Sequence, residues 1–141
     1  MMRVLHDDLE YEPTDGLYYY DNTPFTGMVY AIYPDGSMEY EGEYREGVSW
    51  GVTKEWYPEG QLAYESTCRN GGLHGIERRW HNNGVLASES TGEYGILVRK
   101  QQWNEQGKLT EEYQLREDNP DWKKILELRQ KYGDETSQNE K

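Results

Sequence analysis

The stretch Gly51-VTKEWYPEGQLAYESTCRN-Gly71 decides the fold. It recurs upstream as Gly27-MVYAIYPDGSMEYEGEYRE-Gly47 and downstream as Gly75-IERRWHNNGVLASESTGEY-Gly95, each copy 24 residues from the last. Three glycine combs run in register: Gly27, Gly51, Gly75; Gly36, Gly60, Gly84; and Gly47, Gly71, Gly95. Glycine turns at positive φ without steric cost, so the same turns recur. A fixed period of this length is the signature of a repeat array. A fourth copy, RKQQWNEQGKLTEEYQL, carries Arg99 where the first glycine would stand and reaches Gly107 after 23 residues. That makes the fourth unit the one whose hairpin is in question.

Each unit reads as a β-hairpin. In the second, Val52–Tyr57 is one strand, Pro58-Glu59-Gly60 the turn and Gln61–Cys68 the return. Pairing Trp56 with Leu62 places Lys54 opposite Tyr64 and Val52 opposite Ser66. Alternation then gathers Val52, Trp56, Leu62, Tyr64 and Cys68 on one face. Met28, Tyr30, Ile32, Met38, Tyr40 and Tyr44 follow in the first unit, Ile76, Trp80 and Leu86 in the third, Trp103 and Leu109 in the fourth. The opposite face is expected to carry Glu39, Glu41, Glu43, Glu55, Glu65, Glu77 and Glu89. Glu41, Glu65, Glu89 and Glu112 share one repeat position, so stacking sets them in a row. Lys54, Arg78, Arg79 and Arg45 are the cations placed to offset their repulsion. The expected fold is therefore mainly β: an elongated, curved antiparallel sheet of stacked hairpins.

One domain accounts for the 141 residues. Residues 1–26 read as cap strands, with a strand near Leu9–Glu12, a turn at Pro13–Gly16 and a strand from Leu17 covering the array's first edge. Residues 27–115 hold about four hairpins. Residues 119–133 read as a capping helix, with Asn119 as N-cap, Pro120 at its first position, Trp122, Ile125, Leu128 or Arg129, and Tyr132 on one stripe, and Gly133 as its stop. It is placed over the open end of the last hairpin. Residues 134–141 read as a frayed tail.

Charge limits the partners. The net charge is −12. Residues 1–65 hold 14 Asp and Glu against 3 Lys and Arg, net −11, whereas residues 66–141 hold 13 against 12, net −1. Phosphates and anionic membrane surfaces both call for cations, which argues against nucleic acid and membrane as partners. A basic protein reached by electrostatic steering fits. The N-terminal stretch lacks the apolar core of a signal peptide, and no window reaches membrane-spanning length. One cysteine, Cys68, precludes an internal disulfide and suits a reducing, cytoplasmic setting, while it also permits a disulfide-free exported protein.

No catalytic or ligand motif emerges. His6, His74 and His81 are scattered, and one cysteine gives no zinc spacing. No nucleophile elbow, phosphate loop or dinucleotide fingerprint occurs. Cys68 falls in the slot held by Tyr44 and Gly92 in neighbouring units and reads as an inert, buried thiol. The chain reads as a non-enzyme without cofactor or metal.

The units resemble MORN repeats in their variant form. The residues that carry the likeness are Pro24-Phe25-Thr26-Gly27 and the run Gly51, Trp56-Tyr57, Gly60, Leu62, Glu65, Asn70-Gly71, His74-Gly75. The likeness spans about residues 16–115. It implies side-by-side hairpins. It also implies the occupation of many such bacterial proteins: antitoxin components of toxin–antitoxin systems, or immunity proteins beside secreted toxins. On that reading the chain neutralises a basic toxin domain, a nuclease or a nucleic-acid-modifying enzyme, as a monomer in the complex. Glu39, Glu41, Glu43, Glu55 and Glu65 would meet its cations, with Tyr33 and Tyr57 as aromatic anchors and Tyr19 nearby. The competing reading is a non-catalytic scaffold, or a self-associating repeat protein.

Overall fold

Two turn chemistries alternate along the chain in the computed structural model, which describes the backbone of residues 1–139 and the side chains of residues 1–133. At one end of each hairpin Tyr33, Tyr57, His81 and Asn104 accept the N–H of Gly36, Gly60, Gly84 and Gly107. The same four residues donate their own N–H to Ser37, Gln61, Val85 and Lys108, all at 2.8–2.9 Å. The closing glycine sits at φ between +84 and +96°, the three-residue loop of a type I turn plus a left-handed residue. At the other end Glu46-Gly47, Asn70-Gly71 and Tyr94-Gly95 take positive φ at both residues. That is the two-residue turn whose twist matches the strands it joins.

These turns divide the chain into β1 (Arg3–Leu5), a 3-10 turn at His6–Asp8, β2 (Glu10–Glu12), β3 (Leu17–Tyr20), β4 (Thr23–Pro24), β5 (Gly27–Ile32), β6 (Met38–Arg45), β7 (Val48–Trp56), β8 (Leu62–Arg69), β9 (Gly72–Trp80), β10 (Leu86–Glu93), β11 (Ile96–Trp103), β12 (Leu109–Gln114) and α1 (Pro120–Asn139). The nine-stranded sheet runs β1-β5-β6-β7-β8-β9-β10-β11-β12. β2, β3 and β4 form a separate three-stranded sheet. The first edge of the array is thus covered by β1, parallel to β5 with Val4 beside Val29, together with the β3 hairpin, whose Tyr18 accepts the Phe25 N–H at 3.0 Å and donates its own to the Gly47 carbonyl at 2.9 Å.

Neighbouring units are stitched at both ends. Tyr33 Oη donates to the Trp56 carbonyl at 2.5 Å, Tyr57 Oη to that of Trp80 at 2.6 Å, and His81 Nε2 lies 2.8 Å from that of Trp103. At the opposite end the N–H groups of Gly47, Gly71 and Gly95 bond the carbonyls of Phe25, Ser49 and Leu73 at 2.8–2.9 Å. Conserving the unit length keeps every one of these bonds in phase.

A repeated bulge sets the faces. Trp56 pairs with Leu62 as expected, but the next pairs are Glu55–Tyr64, Lys54–Glu65 and Thr53–Ser66. Ala63 is the extra residue, and Glu39, Ala87 and Thr110 occupy the same place in the other hairpins. One inserted residue carries the rest of its strand to the other face. Lys54 therefore opposes Glu65 instead of Tyr64, and Val52 opposes Thr67 instead of Ser66. The sorting of aromatics to one side and carboxylates to the other is corrected accordingly. Trp56 alternates with Val52 and Lys54, on the same side as Glu65.

The second face, called here the hydroxyl face, is built from two rows. One runs Val29, Gly42, Thr53, Ser66, Glu77, Ser90; the other runs Ala31, Tyr40, Glu55, Tyr64, Arg79, Ser88. Its buried members are mostly small: Ser66 is 1% exposed, Ser90 3%, Ser88 6% and Thr53 8%. The expected apolar residues contribute less, with Ile32, Val52, Ile76 and Leu109 exposed. Gly42 is required here by close approach: a Cβ would stand 2.5 Å from Tyr40 Oη and 3.0 Å from its Cζ. The apolar cluster itself lies at the N-terminal end, where Val4, Phe25, Val29 and Tyr44 pack with Leu9, Tyr18, Tyr20 and Tyr40.

The fourth hairpin is regular. In β7 and β9 the strand pairing skips two extra residues near Gly51 and Gly75, whereas in β11 it skips one, Val98. The 23-residue step is one residue missing from that bulge. Arg99 is not among the residues at positive φ, whereas Gly51 and Gly75 are, so glycine is dispensable there. The helix begins as expected: Asn119 Oδ1 accepts the N–H of Asp121 at 2.8 Å. It does not stop at Gly133 but runs to Asn139, so most of the expected tail is helical; residues 140–141 lie outside the described residues. Neither Pro nor a left-handed residue interrupts it there. Ile125 is fully buried, and Arg129 grips Glu93 at 2.5 and 2.9 Å. The helix leaves β12 uncovered: all six residues of that strand are exposed.

Candidate interaction surface

The row opposite the hydroxyl face is a charge ladder. Reading across strands it runs Tyr30, Glu41, Lys54, Glu65, Arg78, Glu89, Gln101, Glu112. The repeating glutamates do stand in one row, but the intervening strands place a cation between most of them. Arg3 lies 3.3 Å from Glu41, Lys54 3.9 Å from Glu65, and Arg78 2.9 Å from Glu89. The ladder is largely self-neutralised. Arg79, expected among the offsetting cations, is on the other face over the Tyr64 ring at 4.3 Å. Arg45 instead stacks on Trp50 at 4.4 Å.

The seven residues singled out from the sequence therefore fall into separate groups. Glu41 and Glu65 are ladder members with cationic neighbours, and Glu43 shares their face, one pair further along β6. Glu55 projects from the hydroxyl face, between Tyr40 and Tyr64. Glu39 is the exposed bulge residue of the first hairpin. Tyr33 and Tyr57 are half-buried and commit their hydroxyls to the next unit. Glu39, Glu55 and Glu59 converge on Tyr33: burial first, then their negative charge, raises its phenol above the ordinary value. At this turn rim Glu39, Glu55 and Glu59, which form no ion pair among the described residues, meet an aromatic ring. Tyr19 lies apart, in the N-terminal sheet. There it lines a hollow of about 270 Å³ with Glu10, Tyr11, Glu12 and Asn22, its hydroxyl held by Asp15 at 2.5 Å.

The remaining polar groups serve the scaffold. Tyr64 Oη bonds Glu77 at 3.0 Å, and burial pushes its phenol up to about 12. Burial likewise raises Tyr40 and Tyr44. His74 Nδ1 accepts the Tyr94 N–H at 3.0 Å, and His6 packs against Tyr18 and Tyr40. Cys68 is half-buried, opposite Gly51 and 3.8 Å from Ser66 Oγ, in the slot expected for it. Among the described residues no group of three His, Cys, Asp or Glu is arranged to hold a metal ion, and no helix is long and apolar enough to cross a membrane. Lys54 and Arg78 were legible in the sequence as cations 24 residues apart beside the glutamate row; only the bulge decided that they stand directly opposite the glutamates.

Comparison with known proteins agrees with the repeat geometry. The family described as MORN repeat variant matches residues 51–70 and 73–93. A protein of Bacillus subtilis (strain 168) named immunity protein YwqK is 58% identical over 106 residues, covering 75% of this chain and 68% of its own length.

Proposed function

The chain belongs to the MORN repeat variant family, and from that premise we propose that it is an immunity protein, an antitoxin in the wider sense, which binds and neutralises a cognate protein toxin without catalysis. The observation that carries this reading is its 58% identity to a protein that bears the name of an immunity protein. The surplus of acid in residues 1–65, net −11, favours a toxin with a basic active or substrate-binding cleft, as a nucleic-acid-modifying enzyme would have. It also favours cytoplasmic encounter over a role at an anionic surface.

The contact surface is the turn rim of the first two hairpins. Glu39 and Glu55 would meet Lys and Arg of the toxin, with the edges of Tyr33 and Tyr57 as rigid apolar ground between them. Glu43 stands on the ladder face, toward the far end of β6, and lies outside this patch. Glu41 and Glu65 contribute less, because their charge is already shared with Arg3 and Lys54. Desolvated charge pairs couple by roughly 1.5–7 kcal/mol, so two or three suffice to set the affinity.

The test is co-expression with the product of the neighbouring gene, first shown to arrest growth alone. Reversing Glu39 and Glu55 to Lys is expected to abolish rescue and to weaken binding by about a hundredfold or more, whereas reversing Glu41 and Glu65 costs less. Rescue untouched by the first pair would remove the rim from the interface. Failure of the unaltered chain to rescue would remove the immunity reading itself.

A further inference from the structure

β12 is an open edge of the nine-stranded sheet. The sheet's other terminal strand, β1, is three residues long, whereas β12 has six and all of them are exposed. The Leu115 N–H bonds the Val98 carbonyl at 2.7 Å, which fixes the alternation along the strand. Tyr113 and Glu111 likewise turn their N–H and C=O toward β11, while Glu112 and Gln114 turn theirs outward. The edge therefore offers a row of free backbone donors and acceptors.

The charge ladder says what the edge lacks. Glu41, Glu65 and Glu89 each have a cation within 4 Å. Glu112 has Gln101 where the cation would be on one side, and no strand on the other. The next rung of the pattern is a Lys or Arg on a strand this chain does not supply.

We propose that β12 is a strand-addition site, and that its occupant is an extended segment of the cognate toxin with a basic side chain set against Glu112. Backbone bonds would give the affinity and the Glu112 rung the selection. A second copy of this chain is the poorer occupant. Outward-facing residues can pair only with outward-facing residues, so the antiparallel self-pairings of fullest overlap set Glu112 against Glu112 or Glu111 against Glu111, and like charges across a pair destabilise it. The inference takes from the preceding reading only the identity of the partner as a toxin. The edge and its missing rung stand without it.

The experiment uses the full chain and two short blocked peptides, one alternating Thr and Lys, the other Thr and Glu, followed by fluorescence anisotropy. The Lys peptide is expected to bind at least about tenfold more tightly than the Glu peptide. Glu112→Pro removes an N–H that points outward, so the fold survives and Lys-peptide binding falls by about tenfold or more. Glu112→Lys should reverse the preference. Glu111→Pro strikes an inward N–H and should lower the melting temperature instead, which checks the assigned alternation. Equal binding of the two peptides, or binding indifferent to Glu112→Pro in a folded variant, overturns the proposal. So does a wild-type dimer that Glu112→Pro turns into monomer, because a second copy would then hold the edge. Rescue that fails while the peptide selection stands sinks the toxin reading alone; rescue by Glu112→Pro at wild-type strength sinks this one.

Discussion

Reversing one rung of the ladder, Arg78→Glu, tests the bulge that sets every face of the sheet. Arg78 stands between Glu65 and Glu89 and bonds Glu89 at 2.9 Å, with both side chains a little over a third exposed. An exposed pair of this kind contributes about 0.2–1 kcal/mol. The reversal also creates two like-charge contacts, each destabilising by a similar amount. The expected loss is therefore about 1–2 kcal/mol, a fall of several degrees in melting temperature for a domain of this size. Glu89→Lys in the same chain should recover only part of it, because the new Glu at 78 still faces Glu65. Urea unfolding of the two single variants and the double variant gives the coupling directly. The coupling should shrink in high salt. Without the bulge, Arg78 would oppose Ser88 and Glu77 would oppose Glu89. A 78–89 coupling of zero, together with a repulsive 77–89 coupling, would refute the register and the two faces built on it.

Three further outcomes follow from the same geometry. Gly42→Ala should destabilise by about 1–3 kcal/mol in thermal unfolding, because its methyl group enters the space of the Tyr40 ring, whereas Gly107→Ala meets nothing within 4 Å and pays only for its positive φ. Tyr57→Phe removes the bond to the Trp80 carbonyl and should cost about 0.5–1.5 kcal/mol in urea, leaving the ring in place to contact a partner. At alkaline pH the phenols of Tyr40, Tyr44 and Tyr64 resist ionisation because their folded values are raised. Their contribution is whole below the ordinary phenol value near 10 and is lost as pH rises toward about 12 for Tyr64. Stability measured across that window should fall, and a flat profile would remove the burial argument.

Much of this was legible in the residues alone. Glycines at fixed spacing named the turns, because only positive φ explains them, and the turns gave the hairpins, their number and their order. Asn119-Pro120 marked the start of the helix, since a cap acts on its own next residues. These are local effects, complete within a few residues of sequence. What only the tertiary structure decided is the parity of each strand. Ala63, Ala87 and Thr110 carry no sign of being bulged, because a bulge is a relation between two strands and not a property of either. That one residue moved Glu65 to face Lys54, sent Glu55 to the hydroxyl face, and left Glu112 at an open edge with its rung unfilled. The parallel pairing of β1 with β5 belongs to the same class: it is settled by contacts distant in sequence, which a periodic pattern does not encode.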